Sequence, residues 1–371
     1  MSRIRSFLRG EPLSWMLLAL PLTLAAQMLG WSPIATFGLA ALGIIPLSSY
    51  IGRATEDLAV HTGPRTGALL NATLGNAAEL IITVAGVRAG LLELVKASIT
   101  GSIIGNLLLV LGFSMVVGGI RHGVQTFNKT NASRNAILLA LAVIALGIPS
   151  VFSVSMGGAA PITASEAGHS PVEALSLGVA IIMIVLYALG LFDASRPRGP
   201  KGRQDSPLVA TMPRSADSHR GLGAALAILV LSTVGVAWLS EALVHMAEAV
   251  IADAGISEFF LGIILVPLIG NVPEHLVAVQ MAAKNKMDLS TEIAVSSSLQ
   301  IALLVAPLLV FVSLLLGHPL QLVFNQFELL ALLAAVVITV LVSSDGESTW
   351  LEGAGLLGIY LILGMAFFFL Q

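Results

Sequence analysis

Residues 259–283 read FFLGIILVPLIGNVPEHLVAVQMAA, an apolar run broken midway by Asn271, Pro273, Glu274 and His275. Roughly 20 apolar residues suffice to cross a bilayer, so the run has the length of a membrane span. An ionised carboxylate at the centre of such a span costs at least about 2.5–3.5 kcal/mol, even on mild insertion scales. Glu274 therefore marks a functional position by default, with its partner still to be found. The rest of the chain supplies the setting. Of its 371 residues, 56% are hydrophobic and 11% charged, against about 25% charged in an ordinary soluble domain. Such a composition has too few polar groups to cover a water-facing surface, and implies a polytopic membrane protein. The chain has no cysteine, which excludes disulfides, thiolate metal sites and cysteine nucleophiles.

Hydropathy marks eleven spans, at 12–30, 33–52, 66–88, 97–120, 135–154, 171–193, 221–250, 257–281, 291–316, 326–343 and 351–370. Long unbroken runs such as IALLVAPLLVFVSLLLG (301–317) exclude a β-barrel, whose strands alternate over about ten residues. The basic start followed by an apolar run (12–30) reads as a first span rather than a cleaved signal peptide. With the N-terminus inside, 16 of the 18 Lys and Arg residues fall in inner segments and only Arg88 and Lys96 fall outside, as the positive-inside rule requires. The C-terminus is then outside. The one long hydrophilic linker, 194–220, is rich in Pro, Ser and Arg and is expected to be flexible and cytoplasmic.

The linker invites a search for a repeat, and one is present. Gly75-Asn76-Ala77-Ala78-Glu79 returns as Gly270-Asn271-Val272-Pro273-Glu274, 195 residues later. The same shift carries Ser102 onto Ser297, and Leu108-Leu109-Val110 onto Leu303-Leu304-Val305. Spans of opposite direction hold the two copies, so the repeats are inverted, an arrangement that places transport sites near the membrane midplane. The expected fold is an all-α polytopic membrane protein of about eleven transmembrane helices: an N-terminal helix (1–32), a first five-helix repeat (33–193), the linker (194–220) and a second repeat (221–371).

In each copy Asn and Glu are three residues apart, on one face of a helix. Two facing carboxylates are tolerable if they hold a cation or are protonated, which are the two halves of a cation/proton exchange cycle. The expected cation site is Glu79 and Glu274 with Asn76 and Asn271 beside them. Ser102, Ser297, Asn106 and Gln300 form a supporting polar shell, and Gly75 and Gly270 permit irregular backbone. Pro273 disfavours a helical conformation at Val272 and is expected to break the helix there, freeing carbonyls for an ion. An all-oxygen set suits Ca2+, Mg2+, Mn2+ or an alkali ion over Zn2+ or Cu+. His275, Glu241, Glu56 and Glu258 are candidates for a proton pathway; Glu241, after a long apolar run, is expected to be buried, whereas Glu56 and Glu258 lie near predicted span ends.

Residues 54–81 (ATEDLAVHTGPRTGALLNATLGNAAELI) and 257–290 (SEFFLGIILVPLIGNVPEHLVAVQMAAKNKMDLS) resemble the two signature regions of the Ca2+/H+ antiporters, the cation exchanger branch of the Ca2+/cation antiporter superfamily. The resemblance extends over both repeats. It implies a secondary transporter rather than an enzyme, with Ca2+ as transported substrate, H+ as counter-ion and no tightly bound cofactor. By position, it makes Glu79 and Glu274 the central ion ligands, and it matches Ser102, Ser297 and Gln300 to polar positions of the neighbouring core helices. It implies an integral protein of a bacterial inner membrane whose partners are the two ions and the lipid bilayer, with no nucleic acid and with homo-oligomerisation open. The chain departs from the family pattern at Val272-Pro273, where Ala-Ala is usual, at Ser296 and Ser298-Leu299, and in its basic linker. A Na+- or K+-coupled exchanger is the nearest alternative. A cation channel and an intramembrane hydrolase fit less well, since the acids form an inverted pair within one chain and no HExxH motif is present.

Overall fold

The computed structural model describes residues 12–62, 64–157, 170–194 and 221–370. Most of the 194–220 linker lies outside the described residues. Eleven membrane helices are present among the described residues, with the order expected from hydropathy. Helix α1 is a 3-10 segment, Pro12–Leu18, running into Ala19–Leu29. It is followed by α2 (Pro33–Thr62) and by α3, which is divided into α3a (Pro64–Leu74) and α3b (Ala77–Arg88). Helix α4 spans Leu92–His122, α5 Lys129–Ser155 and α6 Pro171–Ala194. The second set comprises α7 (Leu222–Ala254), α8 (Glu258–Ala283), α9 (Met287–Leu316), α10 (Gln326–Val342) and α11 (Trp350–Phe369).

Large apolar side chains stand exposed in rows: Leu141, Ile144, Ile148 and Val151 on α5, Val230, Leu231 and Val234 on α7, Leu361, Ile362 and Met365 on α11. Their three- and four-residue spacing makes one continuous lipid-facing stripe per helix. The buried faces form two apolar bodies. One joins α2, α3b and α7 with the start of α8, and α1 packs against it through Leu17 and Leu20. The other is built on α4 and α9, wrapped by α5, α6, α10 and α11.

The contacts obey the repeat. The 195-residue shift exchanges α2–α6 with α7–α11, and contacts come in exchanged pairs: α4 packs on α11 as α9 packs on α6, and α4 on α8 as α9 on α3. Helices α2 and α7 pack on each other along their length. At one end of the molecule the α4–α5, α8–α9 and α10–α11 connections meet. There β1 (Gln125–Thr126) pairs antiparallel with β2 (Glu347–Ser348), and Gln125 Nε2 donates to Ala282 O at 3.0 Å and to Asn285 Oδ1 at 2.8 Å. At the other end Lys96 Nζ of α4 donates to Val323 O, 2.9 Å away in the α9–α10 connection.

Helices α2, α4, α5 and α7 exceed their hydropathy-derived bounds. The final turns of α2, with Arg53, Glu56 and Asp57, are polar, and α7 ends on a turn that holds Asp253. Hydropathy reports the lipid-immersed part of a helix, and polar turns that continue it are invisible to that measure.

Candidate functional site

The second signature was expected to break at Pro273. It does not: α8 runs without interruption from Val266 to Ala283, with Pro273 inside it. Upstream, Leu261–Leu265 form a π-helical turn, and Pro267 follows two residues later. A π turn shifts the hydrogen-bond register by one residue, which accommodates a residue that cannot donate. Pro267 leaves Ile263 O without its usual α-helical donor, and this carbonyl lies against α4. A Cβ on Gly101 would come within 2.1 Å of it, so only glycine permits this crossing.

The break lies in the first repeat instead. Gly75 and Asn76 form a turn between α3a and α3b, and Asn76 occupies the N-cap of α3b with φ −100° and ψ 26°. Asn76 is therefore not on a helix face with Glu79, as its spacing suggested; it caps the helix whose first turn holds Glu79. Its side chain makes no cap bond to the backbone. It reaches across to α9, donating through Nδ2 to Gln300 Oε1 and accepting through Oδ1 from Ser297 Oγ at 3.4 Å. Ser297 Oγ in turn accepts from Asn106 Nδ2 at 3.1 Å. Three helices, α3, α4 and α9, are thereby joined by one buried relay.

Asn271 is fully buried and makes the mate of this contact: its Nδ2 donates to Ser102 Oγ on α4 at 3.3 Å, and to Pro267 O at 3.1 Å. The pairs Asn76–Ser297 and Asn271–Ser102 exchange under the 195-residue shift. Six sequence-predicted polar residues, Asn76, Asn271, Ser102, Ser297, Asn106 and Gln300, thus come together around the crossing of α3, α4, α8 and α9. Ser296 and Ser298 do not join them; their hydroxyls donate back to Ile293 O and Ala294 O of their own helix.

The two acids sit at the centre. Glu79 is buried, and neither of its carboxylate oxygens has a hydrogen-bond partner. Its side chain lies over Gly270: a Cβ there would be 3.2 Å from Glu79 Cγ. Gly270 thus serves close approach, and it does so inside a regular helix. Glu274, half-buried on α8, lies close enough to feel the charge of Glu79. Asn271 Oδ1 is also buried without a partner. Among the described residues no cluster of three or more His, Asp or Glu side chains occurs, so the centre offers two carboxylates and neutral oxygens.

The proposed proton-pathway residues separate. His275, next to Glu274, is half-buried with Nε2 unpartnered. Glu56 is half-buried in the last third of α2. Glu258 Oε1 accepts from Leu94 N at 3.1 Å, satisfying a backbone donor at the start of α4. Glu241, expected to be buried, is instead 54% exposed and ion-paired with Arg88 Nη1 at 2.9 Å, because α7 has left the apolar layer at this point. The apolar run before Glu241 faces lipid and α2, and ends as α7 reaches the level of Arg88.

The profile of the family described as sodium/calcium exchanger protein matches residues 32–193 and 224–369, the two repeats. The chain belongs to this family. It is 43% identical to the Ca(2+)/H(+) antiporter of Aphanothece halophytica, over 95% of each chain. It is 44% identical to the Ca(2+)/H(+) antiporter ChaA of Bacillus subtilis (strain 168), over 94% of this chain and 96% of the other. Among solved structures it superposes on native YfkE with a TM-score of 0.81 at 40% identity, covering 96% of this chain and 100% of that one. An H+/Ca2+ exchanger CAX structure shares the fold at TM-score 0.70 and 16% identity, covering 97% of this chain and 92% of that one. The inverted five-helix plan is thus common to the family and to this chain.

Proposed function

We propose that this protein is a secondary active transporter, not an enzyme, that exchanges Ca2+ for protons by alternating access at the Glu79/Glu274 centre. One observation carries the reading: Glu79 is a buried carboxylate with both oxygens unpartnered, facing a second carboxylate from the inverted repeat. Uncompensated buried charge costs several kcal/mol. It is neutralised either by a cation held between Glu79 and Glu274 or by protons on them. A hard divalent ion matches the charge of two carboxylates and the oxygen chemistry of Asn76, Asn271, Ser102 and Ser297. The 42–44% identity to proteins named Ca(2+)/H(+) antiporters supports the same pair of ions.

The neutral relay orients the amides so that the carboxylates, the only strong acceptors left over, face each other. Because one set of oxygens serves both ions, protons and Ca2+ exclude each other. Protonation removes the charge that holds Ca2+, so lowering the pH on the Ca2+-loading side is expected to raise the apparent KM for Ca2+. With two protons per Ca2+ the cycle moves no net charge. The body built on α1, α2 and α7 is the one that moves, against a frame built on α4 and α9. Arg121, Lys129, Lys284 and Lys286 lie at the end where β1 and β2 pair, and we assign this end to the cytoplasm of a bacterial inner membrane. The N-terminus is then inside and the C-terminus outside.

The test uses inside-out vesicles with an imposed pH gradient read by a fluorescent probe. Adding Ca2+ should dissipate the gradient, and Glu79→Gln or Glu274→Gln should abolish the response. Dissipation by Na+ or K+ but not Ca2+ would overturn the reading, as would full activity in either variant.

A further inference from the structure

The two repeats differ where the first helix of each core pair begins. In the first, α4 starts at Leu92 and carries Glu93, Lys96, Ala97 and Thr100; in the second, α9 starts at Met287 and carries Asp288, Thr291, Glu292 and Val295 at the shifted positions. Each start packs beside a helix with an asparagine N-cap, Asn325 of α10 or Asn128 of α5. In the first repeat a cation fills the junction. Lys96, only 12% exposed at its side chain, pairs with Glu93 at 2.6 Å, donates to Val323 O and is an electrostatic neighbour of Glu328.

In the second repeat no lysine is there. Thr291 stands at the Lys96 position, and the junction is a cavity of about 140 Å³. Asp288, Glu292, Asn128, Asn131, Asn135 and Thr291 line it, and no Lys or Arg does so among the described residues. Thr291 is 3% exposed and its Oγ1 has no hydrogen-bond partner; Asn131 Oδ1 is likewise buried without one. Asp288 Oδ1 accepts from Asn128 N at the mouth. Two helix N-termini point here, which disfavours a cation, but the mate junction has the same two N-termini and holds an ammonium. Two carboxylates in the lining exclude an anion.

We infer that the α5/α9 cavity binds a hard divalent cation from solution, Ca2+ above all, in the place that Lys96 Nζ fills in the other repeat. The site is separate from the Glu79/Glu274 centre and lies at the end of α9 we assign to the cytoplasm, so it takes cytoplasmic Ca2+ independently of transport. Its oxygens are two carboxylates, amide carbonyls and a hydroxyl, a set suited to Ca2+ and incompatible with soft metals.

The test measures equilibrium binding of radioactive Ca2+ to the full chain in nanodiscs, up to ~1 mM, the weak end of protein calcium sites. The Glu79→Gln/Glu274→Gln double variant should still bind one Ca2+ per chain. Adding Thr291→Lys, which restores the ammonium of the mate repeat, should remove that Ca2+ while leaving the melting temperature unchanged or higher. If that variant does not fold, Asp288→Asn/Glu292→Gln in the same background decides, and should also bind none. No residual Ca2+ in the double variant would overturn the site, as would residual binding that survives both additions or is displaced by excess K+. If the double variant binds as much as wild type and Thr291→Lys removes it, this inference stands and the central-site reading fails.

Discussion

Helices α3 and α8 carry the same motif and are built differently. In α3 the chain leaves the helix at Gly75–Asn76 and restarts at Ala77, so Glu79 lies in a first turn, where the exposed amides favour a negative charge. In α8 the chain stays helical through Gly270 and Asn271, and Glu274 stands in mid-helix with part of its surface accessible. Proline does not decide the break, since Pro273 lies in the unbroken copy. What differs is upstream: α8 has a π turn at Leu261–Leu265, whereas the matching part of α3a is regular helix. The extra residue of the π turn absorbs the strain that α3 relieves by unwinding. Two equivalent acids therefore have inequivalent surroundings, one buried and dipole-stabilised, the other reachable.

Six substitutions, in four ranks of expected effect, sharpen or break this comparison. The largest effect is expected at the acids. Glu79→Gln and Glu274→Gln should each lower Ca2+-dependent proton flux by more than ~100-fold, as loss of a ligand charge requires. They should differ in stability: without Ca2+ at neutral pH, Glu79→Gln should stabilise by ~1–3 kcal/mol, because its carboxylate is buried and unpartnered. Melting of the two variants side by side checks this, and equal shifts would contradict the asymmetry. Next is Gly270→Ala, whose Cβ would press on Glu79 Cγ. A few tenths of an ångström of displacement should raise the apparent KM for Ca2+ by ~10-fold with little loss of fold, since alanine suits a helix better than glycine.

The hydrogen-bonded serines come third. Ser297 joins Asn76 and Asn106, whereas Ser102 meets Asn271 alone. Ser297→Ala should cost ~1–2 kcal/mol and Ser102→Ala about 0.6 kcal/mol or less, read as thermal shifts in detergent. The smallest effect is expected for Pro273→Ala. Since α8 is helical through this position, the change adds a donor for Ile269 O. It should raise the melting temperature and alter flux by less than ~3-fold. A large loss of flux would mean that the helix opens at Pro273 during the cycle.

Much of this architecture is legible in the sequence because hydropathy and lipid impose the same constraint. Eleven apolar runs gave eleven helices, and the constant shift between GNAAE and GNVPE picked out the residues that gather at the crossing, where Asn76 finds Ser297 and Asn271 finds Ser102. The sequence points to the wrong place for the break because proline is a local signal, while the hydrogen-bond register shifts in a π turn that ends eight residues before Pro273. Glu241 was misread because a long apolar run says that a helix meets lipid, not that its next residue is buried; its partner Arg88 lies 153 residues away. The α5/α9 cavity escaped notice because Thr291 and Asn131 are unremarkable until set beside Lys96 and Glu328.

The β1–β2 pair is small, yet it has a mechanical consequence. By joining the α4–α5 and α10–α11 connections, with Gln125 bonded also to the end of α8, it makes one end of that assembly a stator. If α1, α2 and α7 move against this frame as proposed, the strap opposes any splaying of α4 from α11. Cutting the strap by loosening Gln125 would let the ends slip, so ion movement and helix movement would lose their fixed ratio and protons would leak without Ca2+.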